Sequence, residues 1–422
     1  MSPAVIAIIF VGLILAGLPL FVVLGAGSAI CLHLDGYPLV MIPQQMFSIV
    51  EKDVLLAIPL FVLASTLLTR GEGAGRIADF FRSLVDWLPG GVALATIAAC
   101  IFFAAISGLS PTAIITVGAL MAPALKDAKY PDGFSLGLVT SAGSLGILVP
   151  PSIVVIIFGI MGEVNIQHLF VAGLTPILLI ATLFAAYSVA VTRRTEMKSS
   201  VFSPRRIFEM FFRSFWALMV SLIIAGIYSG WFTITQAAAV AAAYALALEL
   251  CIYRKISIRE LPEIFRRAAA ITGMILIIIS VAMSFNWFLT VQGVPFRVTE
   301  FITENVSSKL MFLVFVNVFL LLLGCIMDIL SAIFITVPLL LPAAVALGID
   351  PVHFGIVFIV NFEIGYLTPP IGINLFTSSA VFRKQILEVS RSVLPFLALL
   401  LLALVLVTYF PALTLWPLRF LK

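Results

Sequence analysis

Charge is what this sequence has least of. Only 10% of its 422 residues are Asp, Glu, Lys or Arg, 62% are hydrophobic, and mean hydropathy is +1.22; an ordinary soluble domain carries about 25% charged residues. No water-soluble core could hide that much apolar surface, which excludes a soluble enzyme, a nucleic-acid binder and a disordered scaffold. The net charge of +4 asks for no acidic partner. Cysteine is also scarce: Cys31, Cys100, Cys251 and Cys325 stand singly in apolar surroundings, without CxxC pairing, and read as small core residues rather than disulfide or metal ligands. The three histidines, His33, His168 and His353, each fall near an expected helix end, so a zinc site is not expected. HExxH, GxSxG and paired intramembrane aspartates are absent too, which counts against a membrane-embedded enzyme.

What is present is long apolar runs. A bilayer core about 30 Å thick takes about 20 apolar residues as a helix. Charge-free windows run over 1–34, 54–69, 87–125, 133–162, 164–192, 214–248, 268–296, 310–327, 329–349, 364–382 and 392–418. The run Val5 to Gly27 is longer than a signal-peptide core and lacks a basic leader, so it reads as one retained first span. The 214–248 window is too long for one span and divides at Ser229 and Gly230. The 87–125 window breaks at Ser107, Gly108 and Pro111, and the 310–349 stretch breaks around Asp328. A polar break at membrane depth is either a pair of spans or a re-entrant hairpin.

Lys and Arg accumulate on the cytoplasmic side of membrane proteins. With the N-terminus inside, 19 of the 24 basic residues face the cytoplasm; Lys52, Arg297, Lys309, Arg419 and Lys422 lie outside. The first broken segment then opens from the cytoplasm and the second from the outside, as an inverted repeat would have it.

The two halves can be compared by offset. A shift of 219 residues places Pro123 on Pro342, Gly146 on Gly365, Pro150 on Pro369 and Pro151 on Pro370, and lays the first break over the second. Each tandem proline removes a backbone donor and clashes with the preceding turn. Both helices must therefore be interrupted within the membrane, where freed carbonyls have to be buried in protein or line a polar cavity. Interrupted helices in matching places of two halves point to a midplane site for an anion and its coupling ion.

Small polar residues cluster at these breaks. One candidate cation place combines Ser107, Gly108 and Ser110 with Gly146, Val149 and Pro150; the other combines Gly324 and Asp328 with Gly365, Thr368 and Pro369. Ser110, Thr112, Ser141, Ser144, Ser331, Asn361 and Asn374 are candidates for holding substrate. Small residues also serve tight helix packing, which is the plainer account of any single hydroxyl. A carboxylate at helix centre costs about 2.5 to 3.5 kcal/mol on insertion scales. Asp328 is therefore either an ion ligand or the cap of the helix that follows, or both. Glu363 is either a protonatable coupling group or a solvated residue on the scaffold side.

These residues resemble a known family. Ala105-Ile106-Ser107-Gly108-Leu109-Ser110-Pro111 followed by Gly146-Ile147-Leu148-Val149-Pro150-Pro151-Ser152 is similar to the large membrane subunit of the tripartite ATP-independent periplasmic (TRAP) transporters. So are Gly324-Cys325-Ile326-Met327-Asp328, Gly348-Ile349-Asp350-Pro351 and Gly365-Tyr366-Leu367-Thr368-Pro369-Pro370-Ile371-Gly372, with Ala57-Ile58-Pro59-Leu60-Phe61 and Gln236-Ala237-Ala238-Ala239-Val240. The resemblance covers nearly the whole chain. It implies a carrier in the bacterial inner membrane, coupled to Na⁺, working with a small four-helix membrane subunit and a periplasmic substrate-binding protein. With no helical domain ahead of Val5, that small subunit is expected on a separate polypeptide. The chain departs from the family in having Leu109 where a second tip serine is usual, and Gln236 where a glutamate is usual.

The expectation is an all-α integral membrane protein, a polytopic elevator-type carrier with two inverted repeats, each holding a re-entrant hairpin and an interrupted helix. Its parts would be N-terminal scaffold helices (1–86), first hairpin and interrupted helix (87–162), scaffold helices with cytoplasmic loops (163–267), a scaffold helix and outer loop (268–309), second hairpin and interrupted helix (310–382) and a C-terminal helix (383–422). The expected activity is Na⁺-driven uptake of a small carboxylate or similar organic anion, with no organic cofactor. A stand-alone carrier of the same two-hairpin design, driven by Na⁺ or H⁺, is the alternative.

Overall fold

The computed structural model describes residues 3–49, 51–108, 110–193, 202–228, 230–306 and 308–421. Among the described residues the secondary structure is helical throughout. The first half holds α1 (Pro3–Leu15), α2 (Leu20–Leu34), α3 (Met41–Ser48), α4 (Ala57–Arg70), α5 (Gly73–Val85), α6 (Gly91–Ser107), α7 (Ser110–Asp127), α8 (Asp132–Ser144), α9 (Ile153–Met161) and α10 (Ile166–Arg193). The second holds α11 (Pro204–Tyr228), α12 (Ile234–Ala247), α13 (Leu261–Val291), α14 (Val294–Asn305), α15 (Lys309–Gly324), α16 (Ile329–Ala346), α17 (Pro351–Gly365), α18 (Ile373–Phe382), α19 (Ile386–Tyr409) and the short turn α20 (Ala412–Leu415). Seven segments among the described residues are long and apolar enough to cross a bilayer unaided, and shorter apolar helices fill out the two broken regions. The chain is a multi-pass membrane protein.

Local chemistry explains where the helices start. Thr233 accepts from Gln236 N at 3.2 Å while Gln236 Oε1 accepts from Thr233 N at 3.0 Å, closing a capping box on α12. Asp350 Oδ1 accepts from Val352 N and His353 N at 2.8 and 3.2 Å, and Pro351 opens α17 where its missing N–H costs nothing. The division expected in 214–248 falls between α11 and α12, beside Gly230; Ser229 itself lies outside the described residues.

Two expectations need correction. The apolar run Val5 to Gly27 is not one span but parts of two helices, because Gly17 takes a left-handed φ of 72° and Pro19 cannot continue α1. The cysteines are free, but only Cys31 and Cys100 are core; Cys325 is half-buried and Cys251 exposed.

The 219-residue spacing runs through the elements themselves. α7 and α16 are both 18 residues long and begin 219 residues apart, as do α8 and α17. Packing is reciprocal: α7 lies against α18, and α16 lies against α9, so each hairpin's second arm meets the other half's helix beyond the proline break. Around this core α4 packs on α12, and α13 packs on α2, α3 and α4. Phe358 of α17 lies 5.5 Å from Phe158 of α9 and 5.0 Å from Phe362, which gives the core an aromatic seam.

One buried charge ties the surrounding helices to this core's flank. Glu249, fully buried at the end of α12, accepts from the backbone N–H groups of Glu72 and Gly73, both at 3.1 Å, and so caps the amphipathic α5 from a distant part of the chain. Beside it the Arg76 guanidinium hydrogen-bonds Glu72 at 2.9 Å, holds that carboxyl below the ordinary carboxylate range, and stacks 4.1 Å over Tyr253.

Candidate functional site

Each hairpin tip lies against its own half's interrupted helix. In the first half Gly108 ends α6 at φ 62°, and a Cβ there would stand 2.9 Å from Pro151 O, so tip and proline break are in contact. Gly146 lies so close to α6 that a Cβ would stand 2.2 Å from that of Ala104. Val149 and Pro150 face the flank of α6 and α11, lining a cavity of about 380 Å³ with Phe102 and Tyr228. The Ser107 side chain and Leu109 lie outside the described residues.

The second half repeats the arrangement. A Cβ on Gly365 would come within 2.6 Å of Gly324 backbone, so these two glycines let α15 and α17 cross at the break. Tyr366 accepts from Ile329 N through its hydroxyl at 2.9 Å, and Cys325 O accepts from Ile371 N at 3.3 Å. Asp328 is the cap of α16: Oδ2 accepts from Ser331 N at 2.9 Å and Oδ1 from the Ser331 hydroxyl. The capping account of Asp328 is therefore realised, and Ser331 is its partner. Thr368 turns back to Ile364 O at 2.8 Å. Both proline pairs, Pro150-Pro151 and Pro369-Pro370, are cis.

Among the described residues, three hydrogen bonds between side chains join the two broken regions, 87–162 and 310–382. Ser110 Oγ donates to Asn374 Oδ1 at 2.9 Å, the Thr140 and Ser378 hydroxyls lie 2.8 Å apart, and Ser144 Oγ lies 3.1 Å from Glu363 Oε1. All six side chains are buried, and Asn374 Nδ2, Ser141 Oγ and Glu363 Oε2 have no protein partner. Buried donors and acceptors of this kind ask for a ligand, an ion, a proton or water. Of the candidates for substrate contact, the structure thus gathers Ser110, Ser141, Ser144 and Asn374 along one seam.

Two others stand elsewhere. Asn361 points away from the seam and donates to Asn317 Oδ1 at 2.8 Å; Asn317 in turn donates to Thr408 at 3.2 Å. Thr112 lines a cavity of about 480 Å³ that reaches Ser65, Thr66 and Arg70 of α4, and Arg259, Glu263 and Arg267 at the start of α13. Sequence reasoning missed Ser378 and Tyr366, whose partners are remote in the chain, and Glu249. For Glu249 a signal existed, an acidic residue inside an apolar run.

Two helical hairpins, each seated on a proline-broken helix and joined to each other by buried polar contacts, make a helical membrane carrier. A model of the "Tripartite ATP-independent periplasmic transporter, DctM component" matches residues 6–413, and the chain belongs to this family: it is a TRAP transporter large permease, a transport component rather than an enzyme. It is 40% identical to the C4-dicarboxylate TRAP transporter large permease protein DctM of Pseudomonas aeruginosa, over 88% of this chain and 87% of that one. It is 35% identical to the isethionate TRAP transporter permease protein DctMQ of Oleidesulfovibrio alaskensis, over 94% of this chain and 64% of that longer protein. It is 33% identical to the ectoine permease TeaC of Halomonas elongata, over 96% of each. Among solved structures the fold is shared with the Alcanivorax borkumensis YdaH transporter, at a TM-score of 0.60 over 86% of each chain and 15% identity.

Proposed function

We propose that this chain is the moving, solute-carrying component of a Na⁺-coupled importer for a small organic anion. In this reading the two broken regions, 87–162 and 310–382, travel together against the scaffold helices in an elevator motion between inverted repeats. Na⁺ sits at two related places, between the Gly108 tip and the Gly146 to Pro150 break, and between Asp328 and the Gly365 to Pro369 break. The observation that carries the reading is the paired contact of each tip with its own break, which gathers backbone carbonyls and hydroxyls where water is scarce. Substrate would lie along the seam of Ser110, Ser144 and Asn374. Arg70, Arg259 and Arg267, partly offset by Glu260 and Glu263, give the cavity at Thr112 a net positive lining suited to release of an anion. Relatives named for C4-dicarboxylates and isethionate fit the anionic class.

Driving force limits the substrate. At about 100 mV each inward charge contributes roughly 2.3 kcal/mol, and a tenfold gradient adds roughly 1.4. Two Na⁺ then supply roughly 7.4 kcal/mol, of which import of a dianion takes back roughly 4.6. A monoanion suits two Na⁺ better; a dianion asks for more.

A small four-helix membrane subunit and a periplasmic binding protein would complete the system in the bacterial inner membrane, with the N-terminus of this chain in the cytoplasm. The test is reconstitution. Proteoliposomes holding the purified chain should move little solute until a small membrane subunit, a loaded binding protein and an inward Na⁺ gradient are supplied. Full uptake by this chain alone would make it a stand-alone carrier, and uptake indifferent to Na⁺ would end the coupling assignment.

A further inference from the structure

The cavity of about 480 Å³ beside Thr112 has walls from two parts of the molecule. Ser65, Thr69 and Arg70 come from α4, and Arg259, Glu263 and Arg267 from the start of α13 and the turn before it, two helices that pack on each other. Thr112 comes from the first turn of α7, the second arm of the first hairpin.

The charges around this cavity are unevenly matched. Glu263 accepts from Arg266 at 2.7 and 2.8 Å and from Arg267 at 3.2 Å, so that carboxylate already faces two guanidinium groups. Glu260 Oε2 accepts from the Ser257 backbone N–H at 2.9 Å and from the Ser257 hydroxyl at 3.2 Å. Arg70 acts on Glu260 only through its field. Among the described residues, neither Arg70 nor Arg259 takes part in an ion pair or a side-chain hydrogen bond. The Ser65, Thr69 and Thr112 hydroxyls likewise make no hydrogen bond among the described residues, whereas Thr66 beside them donates to Val62 O at 2.7 Å. Val62, Ile264 and Ile271 add an apolar wall. Guanidinium forks bond the oxygens of carboxylates and phosphates, free hydroxyls add donors, and an apolar wall takes a short carbon skeleton. The lining therefore suits a small organic anion.

We propose that this cavity is a brake site: a small organic anion of the cytoplasm, the imported solute included, binds Arg70 and Arg259, reaches Thr112, and by touching both walls holds the first hairpin against the scaffold. Resting on the proposed motion, in which 87–162 travels while α4 and α13 stay, such a ligand ties the moving part to the fixed part. A ligand bonded to both sides of a boundary binds one relative position best and so favours it. The exit would thus also be the place where accumulated anion slows further uptake. The binding itself needs no Na⁺, because the cation places lie at the two proline breaks.

The test uses the purified full-length chain in phosphatidylcholine nanodiscs, with succinate as the anion and succinamide as its uncharged counterpart. The wild type should bind succinate without Na⁺ and ignore succinamide. Arg70 and Arg259 are both exposed, and Arg70→Gln and Arg259→Gln should each weaken binding about tenfold or more. Arg205→Gln, which changes an exposed arginine outside the cavity, should leave binding as it is. Succinate should also slow hydrogen exchange in the first turn of α7 in the wild type and not in Arg259→Gln. No binding by the wild type, or binding that survives both arginine substitutions, would overturn the site. Protection confined to α4 and α13 would overturn the brake. A lipid phosphate offers the same anionic oxygens: if phosphatidylglycerol in the nanodisc displaces succinate, the cavity is a head-group site and the proposal fails. None of these outcomes bears on Na⁺ coupling, which uptake by the reconstituted system decides separately.

Discussion

Ser144 and Glu363 stand 219 residues apart in the chain and 3.1 Å apart in space, so two positions that the repeat offset makes equivalent are also neighbours. The contact joins α8 to α17, two helices that themselves begin 219 residues apart. The Ser110 to Asn374 and Thr140 to Ser378 bonds tie the same two halves together.

The glycine crossing at the second break should tolerate no side chain. A Cβ at Gly365 would meet the backbone of Gly324 at 2.6 Å, and backbone cannot swing away as a flexible side chain could. Gly365→Ala is expected to cost about 1 to 3 kcal/mol, seen as a lower melting temperature. Gly273→Ala, where a Cβ meets nothing within 4 Å, should leave stability nearly unchanged. Equal melting temperatures for the two variants would refute the crossing.

Asp328 separates two roles by charge. Asp328→Asn keeps most capping ability, while Asp328→Ala loses the cap of α16 at about 1 kcal/mol. If the carboxylate also balances Na⁺, Asp328→Asn should raise the half-saturating Na⁺ concentration for uptake at matched protein levels. An unchanged Na⁺ dependence would leave Asp328 a cap alone.

Glu249 should be a stability residue. Glu249→Ala strands the buried N–H groups of Glu72 and Gly73, at about 1 to 3 kcal/mol, and loosens α5 from the end of α12. Gly71→Ala should do comparable harm, since its Cβ would fall 2.0 Å from the Glu249 carboxyl. Thermal unfolding of each variant decides the matter; wild-type melting in both would show that α5 needs no such cap.

The Ser110 to Asn374 bond is suited to a double-mutant cycle. Ser110→Ala and Asn374→Ala should couple by about 1 kcal/mol in stability, as a direct buried hydrogen bond does. Additive losses would show that the two residues act apart.

Orientation is checked from either side of the membrane. A single cysteine at exposed Glu163 should react with an impermeant thiol reagent from outside, and one at Arg259 only from the cytoplasm. Reaction of both from the same side would overturn the orientation drawn from the basic residues.

Much of this was written along the chain. Scarce charge and long continuous apolar runs required helices in a bilayer, because a helix satisfies its own backbone there, whereas the strands of a membrane barrel alternate apolar and polar residues over short segments. The tandem prolines at 150–151 and 369–370 required breaks, because each residue lacks the N–H that a helix would use, and their common offset announced the paired halves. Asp328 was legible as a cap because Asp before an apolar helix satisfies free N–H groups locally. The sequence also misled where breaks were weak: Gly17 and Pro19 divide a run that hydropathy alone joins.

What only the tertiary structure decided is who meets whom across the halves. Nothing local in Ser144, Asn374 or Ser378 indicates a partner more than two hundred residues away, and Asn361, two residues before Glu363, turns to the opposite side of α17 and bonds Asn317. Hydropathy and turn chemistry act over a few residues, so they determine where helices begin, end and break. Pairing across a seam depends on how whole helices pack, and that choice is made only when small residues such as Gly324 and Gly365 let two of them close to contact.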